Sequence, residues 1–315
     1  MARRRSGQPV HGWLVLDKPE GMTSTQAVAR VRRLFDAEKA GHGGTLDPLA
    51  TGVLPIAFGE ATKTVPYAVE GRKAYRFTVR WGEQTQTDDR EGPVVATSPV
   101  RPDRAAILGA LPEFLGAVTQ IPPRFSAILI DGVRAYDLAR DGEEVAMPAR
   151  TVQIDQFVLV DLPDAEHGVF EVVCGKGTYM RALARDLALA LGTVGHISAL
   201  RRLAVGSFAL ERAYTLERLE AMAPEERPQA LLPLAAALHA LPFVLLSEPE
   251  VIRLRQGQPA LVLRRGILDD VHAAPQTLQT EGGLPLAVAS YRNQVVALVR
   301  VDGATLHPLR VFPPL

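Results

Sequence analysis

The stretch KAYRFTVRW, Lys73 to Trp81, alternates without interruption. Tyr75, Phe77, Val79 and Trp81 fall on one side, and Arg76, Thr78 and Arg80 on the other. A period of two belongs to a strand with one buried and one wetter face. That pattern excludes a helix here and favours antiparallel neighbours. Such neighbours are readable: VLPIAF (Val53 to Phe58), TVQIDQFVLVDL, VFEVVCGKGT and LRRLAVGSFAL all read as strands. Strand follows strand through short turns instead of alternating strictly with helices. The expected fold class is therefore α+β, with a mixed, mainly antiparallel central sheet and flanking helices.

The helices carry their own signals. Trp13 to Leu16 is a short apolar strand, and DKPEG is turn chemistry. Thr23 and Gln26 then form a capping box, with Val28, Val31, Leu34 and Phe35 on one helical face. Residues 103–115 read as helical. TYMRALARDLALALG is amphipathic, with Leu183, Leu187 and Leu191 in register and Gly192 as its stop. Residues 215–240 read as helical and acidic. Residues 121–150 hold Pro122-Pro123, Asp131-Gly132 and Asp141-Gly142, so they read as an inserted arm, part hairpin and part short helix. Beyond about residue 241 come short strands with frequent Gly and Pro, the pattern of a small all-β module. The expected division is 1–240 and 241–315.

Composition narrows the function. With 47% hydrophobic and 22% charged residues, a folded soluble protein is expected. No apolar run approaches the roughly 18 residues of a membrane span. The basic N-terminus is followed by no apolar stretch of the signal-peptide kind. One cysteine, Cys174, allows no internal disulfide, and a cytoplasmic location is expected. No metal-ligand spacing, Walker loop or GxGxxG is present, so no metal and no cofactor are expected. The net charge is zero, but residues 1–45 carry eight basic against four acidic side chains, and residues 171–212 six against three. Local basic patches of this kind suit a polyanion, although ordinary surface charge gives the same counts.

GHGGTLDPLATG, Gly41 to Gly52, sets one carboxylate, Asp47, among four glycines. Asp-Pro is common turn chemistry, and a plain bend explains it. Three features favour a site. Glycine lets a ligand approach the backbone closely. Leu46, Pro48 and Leu49 shield the acid. The loop leaves a basic helix and enters an apolar strand, where sites tend to lie.

This bend, extended to GHGGTLDPLATGVLPIAFGEATK, closely resembles the central motif of the TruB family of tRNA pseudouridine synthases. LDKPEGMTS, KAYRF, GEQTQTDDREG, CGKGTYMRALARDLA and LRRLAVGSF resemble further family segments in the same order, from residue 12 to 208. Gly43 and Thr45 stand where many relatives carry Thr and Ala. The resemblance implies the pseudouridine synthase fold and a C-terminal PUA-type β-barrel-like domain. It implies isomerisation of uridine in the T-loop of tRNA, at tRNA position 55, with the target base flipped out of its stack. The C1′–N1 bond breaks, the base turns, and C5 rejoins the ribose, with neither metal nor organic cofactor.

Residue by residue, the resemblance makes Asp47 the catalytic acid, attacking C1′ or removing the 2′ proton. Arg181 becomes its guanidinium partner. Tyr75 becomes the ring that stacks on the base and is implicated in removing the C5 proton. Substrate contacts are expected from His42, Lys18, Pro19, Met180, Leu200 and Lys176. Asp89 is also expected in this group, with Asp88 as the alternative register. Arg30, Arg32, Arg33 and the pair Arg201–Arg202 are candidates for holding phosphates. In the arm, Arg124, Phe125, Arg134, Tyr136 and Arg140 interleave charge and aromatic rings, as suits looped RNA. The expected partner is the tRNA T-arm, bound by a monomer. Two other readings stand beside this one: an RNA-binding protein without chemistry, and an aspartyl-phosphate enzyme built on Asp47.

Overall fold

The computed structural model describes residues 7–126, 128–130, 133–134, 136, 147–264, 266–273 and 283–314. A nine-stranded sheet forms the body. Its main path runs β1 (Gly12–Lys18), β3 (Thr51–Phe58), β12 (Gly195–Val205), β4 (Lys73–Trp81), β11 (His167–Cys174), β10 (Arg150–Asp164), β7 (Gly116–Gln120). Every pairing is antiparallel except one: β12 meets β3 in parallel at Arg201↔Thr51 and Arg202↔Gly52. The short strand β2 (Ala40–His42) also pairs with β3, farther along at Ile56 to Phe58. The glycine bend leaves the sheet between these two pairings.

The alternation in β4 does what its period demands. Phe77, Val79 and Trp81 are buried, and Phe77 and Trp81 meet Phe170 of β11. Tyr75 is half-buried at the end of this row. The helix Met180–Ala190 buries Leu183, Ala184, Leu187 and Ala188 in the same core. Ser24–Leu34 forms the first helix, and its Thr23–Gln26 capping box is formed.

Three expectations need correction. Residues 215–240 are not one helix. Leu216–Ala221 is helical, and 3-10 turns follow at Arg227–Ala230 and Leu234–Leu238. Pro224, Pro228 and Pro233 prevent continuation, because each removes an N–H and clashes with the preceding turn. The C-terminal module has a five-stranded sheet, but it is not all β. Glu248–Arg255 is a helix with its own capping box, packed on that sheet. Of ALVLRRG, only Ala260–Leu261 is strand. In the arm, Leu129–Ile130 pairs with Val133–Arg134 as a hairpin. The expected short helix, the Arg134 and Arg140 side chains, Arg3 to Arg5 and most of PQTLQTEGGLP lie outside the described residues. Among the described residues, no helix is long and apolar enough to cross a membrane.

Gly52 joins the bend to β3 and sits at φ +99°, a conformation side chains rarely adopt. A Cβ there would stand 2.2 Å from the Arg202 carbonyl oxygen. Gly52→Ala is therefore expected to lower unfolding stability by about 2–4 kcal/mol in denaturant titration. A change near zero would show that the parallel contact is not tight.

Candidate active site

The bend is held from behind by backbone acceptors and buried donors. Ser24 Oγ accepts from the Leu46 amide at 2.8 Å and donates to the Leu46 carbonyl at 3.1 Å. Lys18 has no exposed surface, and its Nζ donates to the carbonyls of Pro19, Met22 and Pro48. Arg202 is 2% exposed. Its Nε donates to Val53 O at 2.7 Å, its Nη1 to Thr45 O at 3.2 Å and its Nη2 to Gly44 O at 3.1 Å. Positive charge against carbonyl oxygens is a strong hydrogen-bond pairing. These contacts fix the backbone so that Asp47 projects forward, its side chain 35% exposed.

Arg181 approaches from the other side. It lies on the first turn of its helix, after the turn Gly175–Tyr179. Gln120, at the end of β7, clamps both backbone polar groups of Tyr179, at 2.8 and 3.0 Å. Arg181 is buried, and its Nε stands 3.0 Å from Asp47 Oδ2. That N–H is not aligned for a hydrogen bond, so the contact is an ion pair. Nη1 donates to Thr87 O and lies 3.5 Å from Asp89 Oδ2, and Nη2 donates to Phe125 O at 2.9 Å. Asp88 is paired instead with Arg185 and accepts from its Nη1 at 2.9 Å. The register left open by the sequence thus places Asp89 beside Arg181. Burial pushes the Asp88 carboxyl above its usual range, against the pull of Arg185.

A cavity of about 250 Å³ opens in front of Asp47. Tyr75, Lys176, Met180, Arg181 and Leu200 line it with Asp47. The structure thus brings six of the ten expected residues to one cavity. Pro19 is turn backbone beside Lys18, and Lys18, His42 and Asp89 stand behind or beside the wall instead. Burial, and secondarily the Arg202 charge, lowers the His42 imidazole below its usual range, which favours the neutral ring. Burial raises the Tyr75 hydroxyl, while the adjacent Arg202 guanidinium opposes the rise. Tyr75 is a neutral phenol at physiological pH.

The sequence reading of Arg202 as a phosphate holder is corrected: the side chain is 2% exposed, and its guanidinium donates to the Val53, Thr45 and Gly44 carbonyls and lies beside the Tyr75 hydroxyl. Arg201 is paired with Asp17 at 2.7 Å, and Arg30 with Glu220 at 2.5 Å. The sequence reading also missed Ser126, Arg150 and Tyr179, which line the cavity, and Ser24, which pins the bend. Tyr179 alone carried a signal, as a member of GTYMR.

The TruB family pseudouridylate synthase N-terminal domain model matches residues 32–180. The tRNA pseudouridylate synthase B C-terminal domain model matches residues 181–239. A curated relative from Caulobacter vibrioides, described as tRNA pseudouridine synthase B, is 51% identical over 99% of both chains. One from Rhodospirillum rubrum with the same description is 49% identical over 99% of both. Among solved structures, a Cbf5-Nop10-Gar1 complex contains a chain that aligns over 100% of this one and 92% of its own length, with TM-score 0.72 and 25% identity. The fold is that of the pseudouridine synthases, a class of isomerases. The chain belongs to the TruB family within that class.

Lys18 gives the site a testable pH signature. Burial lowers its ammonium from 10.5 to about 8, although the nearby Asp47 carboxylate opposes this. Between those values the unfolded chain keeps a proton that the folded chain releases, so raising the pH favours folding. The stability difference between wild type and Lys18→Met is expected to grow in favour of wild type from pH 8 to 10.5. Urea titrations at several pH values measure it, and a flat difference would refute the burial cost.

Proposed function

We propose that this chain isomerises uridine to pseudouridine in tRNA, at the T-loop uridine of tRNA position 55. The observation that carries this is the Asp47–Arg181 ion pair at 3.0 Å, set in a cavity shared with Tyr75. One carboxylate suffices for the chemistry. It attacks ribose C1′, or takes the 2′ proton, as the C1′–N1 bond breaks. The uracil turns and C1′–C5 forms. The C5 proton leaves and N1 gains one, so the product is an isomer and no redox partner enters.

Arg181 orients the carboxylate. Its guanidinium is locked by Thr87, Asp89 and Phe125, so it holds position while charge shifts on Asp47. Tyr75 supplies a face for the extruded base, and Met180 and Leu200 close the apolar sides. A neutral phenol is a weak base. It is adequate here, because the C5 proton is made acidic by rearomatisation once C1′–C5 has formed. His42 and Lys18 shape the wall from behind. We read residues 1–240 as the catalytic unit, the arm at 121–150 as its RNA grip, and residues 241–315 as a PUA-type unit.

Incubation with an unmodified tRNA transcript, without added metal or cofactor, followed by site-resolved pseudouridine detection, tests the reading. Conversion of a single T-loop uridine is expected; none, or conversion elsewhere only, would overturn it. Asp47→Asn is expected to abolish product while tRNA affinity stays within a few-fold, because the amide is isosteric but is neither nucleophile nor base. Full turnover by that variant would remove Asp47 from the chemistry. Arg181→Lys is expected to lose at least 100-fold in single-turnover rate, on the order of 3 kcal/mol, since an ammonium cannot satisfy the same set of acceptors. A rate within a few-fold of wild type would refute the orienting role.

A further inference from the structure

Arg150 begins β10 and lines the same cavity as Asp47. Its guanidinium lies on the Tyr179 ring, 4.6 Å from the centroid. On another side stands Gly177, where even an added Cβ would stay 3.7 Å from Nη1. The guanidinium is thus held by a ring below and left uncrowded by a residue without a side chain. Its Nε and Nη2 are shielded from water, and among the described residues neither has a hydrogen-bond partner. No acidic side chain pairs with it among the described residues; the one carboxylate lining the cavity, Asp47, is engaged by Arg181.

Nε and Nη2 form one edge of the guanidinium, the pair of parallel donors that matches two oxygens of a carboxylate or phosphate. A shielded charge with two unmade hydrogen bonds is a cost to the folded state, which an anionic ligand offsets. Uracil and ribose are neutral. The one anion that a nucleotide brings to this cavity is its phosphodiester.

We propose that Arg150 is a phosphate seat: the groups covering its Nε–Nη2 edge give way as RNA binds, and that edge takes the two non-bridging oxygens of a phosphodiester next to the uridine that enters the cavity. This rests on reading the cavity as the uridine site. The seat fixes the backbone of the extruded nucleotide, so the ribose reaches Asp47 in one orientation. Lys176 stands near it but is held by Glu70 at 2.7 Å in an exposed pair, and it presents a mobile point charge, not a fork.

The test uses the full chain in an Asp47→Asn background, with a T-arm stem-loop RNA as probe. Dissociation constants are measured across salt concentrations with Arg150 intact, as Gln and as Lys. Arg150→Gln is expected to weaken binding about tenfold and to lower the slope of log Kd against log salt by about one. Methylphosphonate replacement of single phosphates around the target uridine locates the contact. One replacement should penalise the Arg150 protein and leave the Gln variant unaffected. Should the Gln variant fail to fold in thermal melts, the Lys variant decides, and its penalty at that phosphate should be clearly reduced. Unchanged affinity and slope, or equal penalties in all proteins at every phosphate, overturn the seat. Turnover of the transcript by the chain with Asp47 restored separates the outcomes. With turnover and no Arg150 effect, only the seat falls; without turnover, the seat falls together with the reading of the site.

Discussion

A carboxylate facing solvent and a guanidinium hidden from it meet at 3.0 Å, and the rest of the site is arranged around that contact. The asymmetry matters. A charge as buried as Arg181 must be compensated wherever it goes, and breaking a buried pair costs about 3–5 kcal/mol. Arg181 is compensated twice over, by Asp47 and Asp89, and its remaining donors reach the Thr87 and Phe125 carbonyls. It therefore stays in place, and Asp47 is held by a partner that cannot leave. The other side of Asp47 is left for a ligand.

The bend that carries Asp47 is braced by two further buried cations, Lys18 and Arg202, both pointed at main-chain carbonyls. This explains why the loop has many glycines and only one charge. A loop held through its carbonyl oxygens needs those oxygens turned inward, which sets unusual backbone angles such as φ +115° at Gly44. It also gives the front of the loop a positive background. Lys18 and Arg202 stand behind the bend and Arg181 beside it, in a setting where burial limits screening. Several basic residues of the chain thus serve the architecture of one carboxylate, their charges spent within the protein.

That division was not legible in the sequence. Periodicity revealed the strands, because a half-buried strand must alternate, and a capping box marked the first helix. The resemblance pointed to Asp47, Tyr75 and Arg181, and these share one cavity. The fates of Lys18, Arg202 and Arg150 were not readable. A buried cation whose partners are carbonyls leaves no complementary acid in the sequence to betray it, and Arg201 and Arg202 look alike in one dimension. Their faces are set by the parallel pairing of β12 with β3, which no local pattern encodes. The C-terminal helix Glu248–Arg255 was missed for a related reason. It buries only Val251 and Leu254, so its apolar face is too narrow to show.

The adjacent acids Asp88 and Asp89 show how such a site is fixed by backbone conformation. Two neighbours in extended chain point to opposite sides. Here they reach Arg185 and Arg181, one turn apart on the same helix. Asp88 achieves this by adopting φ +59°, a left-handed conformation that Asp tolerates at modest cost. Its own carbonyl accepts from Ile197 of β12, and its amide donates to Thr85. The turn is thereby fastened to the sheet through its main chain and to the helix through its side chains. Arg185 also donates to Ile121 O and Arg181 to Phe125 O, at the root of the arm. One helix face therefore ties together the polar turn, the arm and the carboxylate. A shift of any one of them alters the acceptors available to Arg181, the side chain on which the orientation of Asp47 depends.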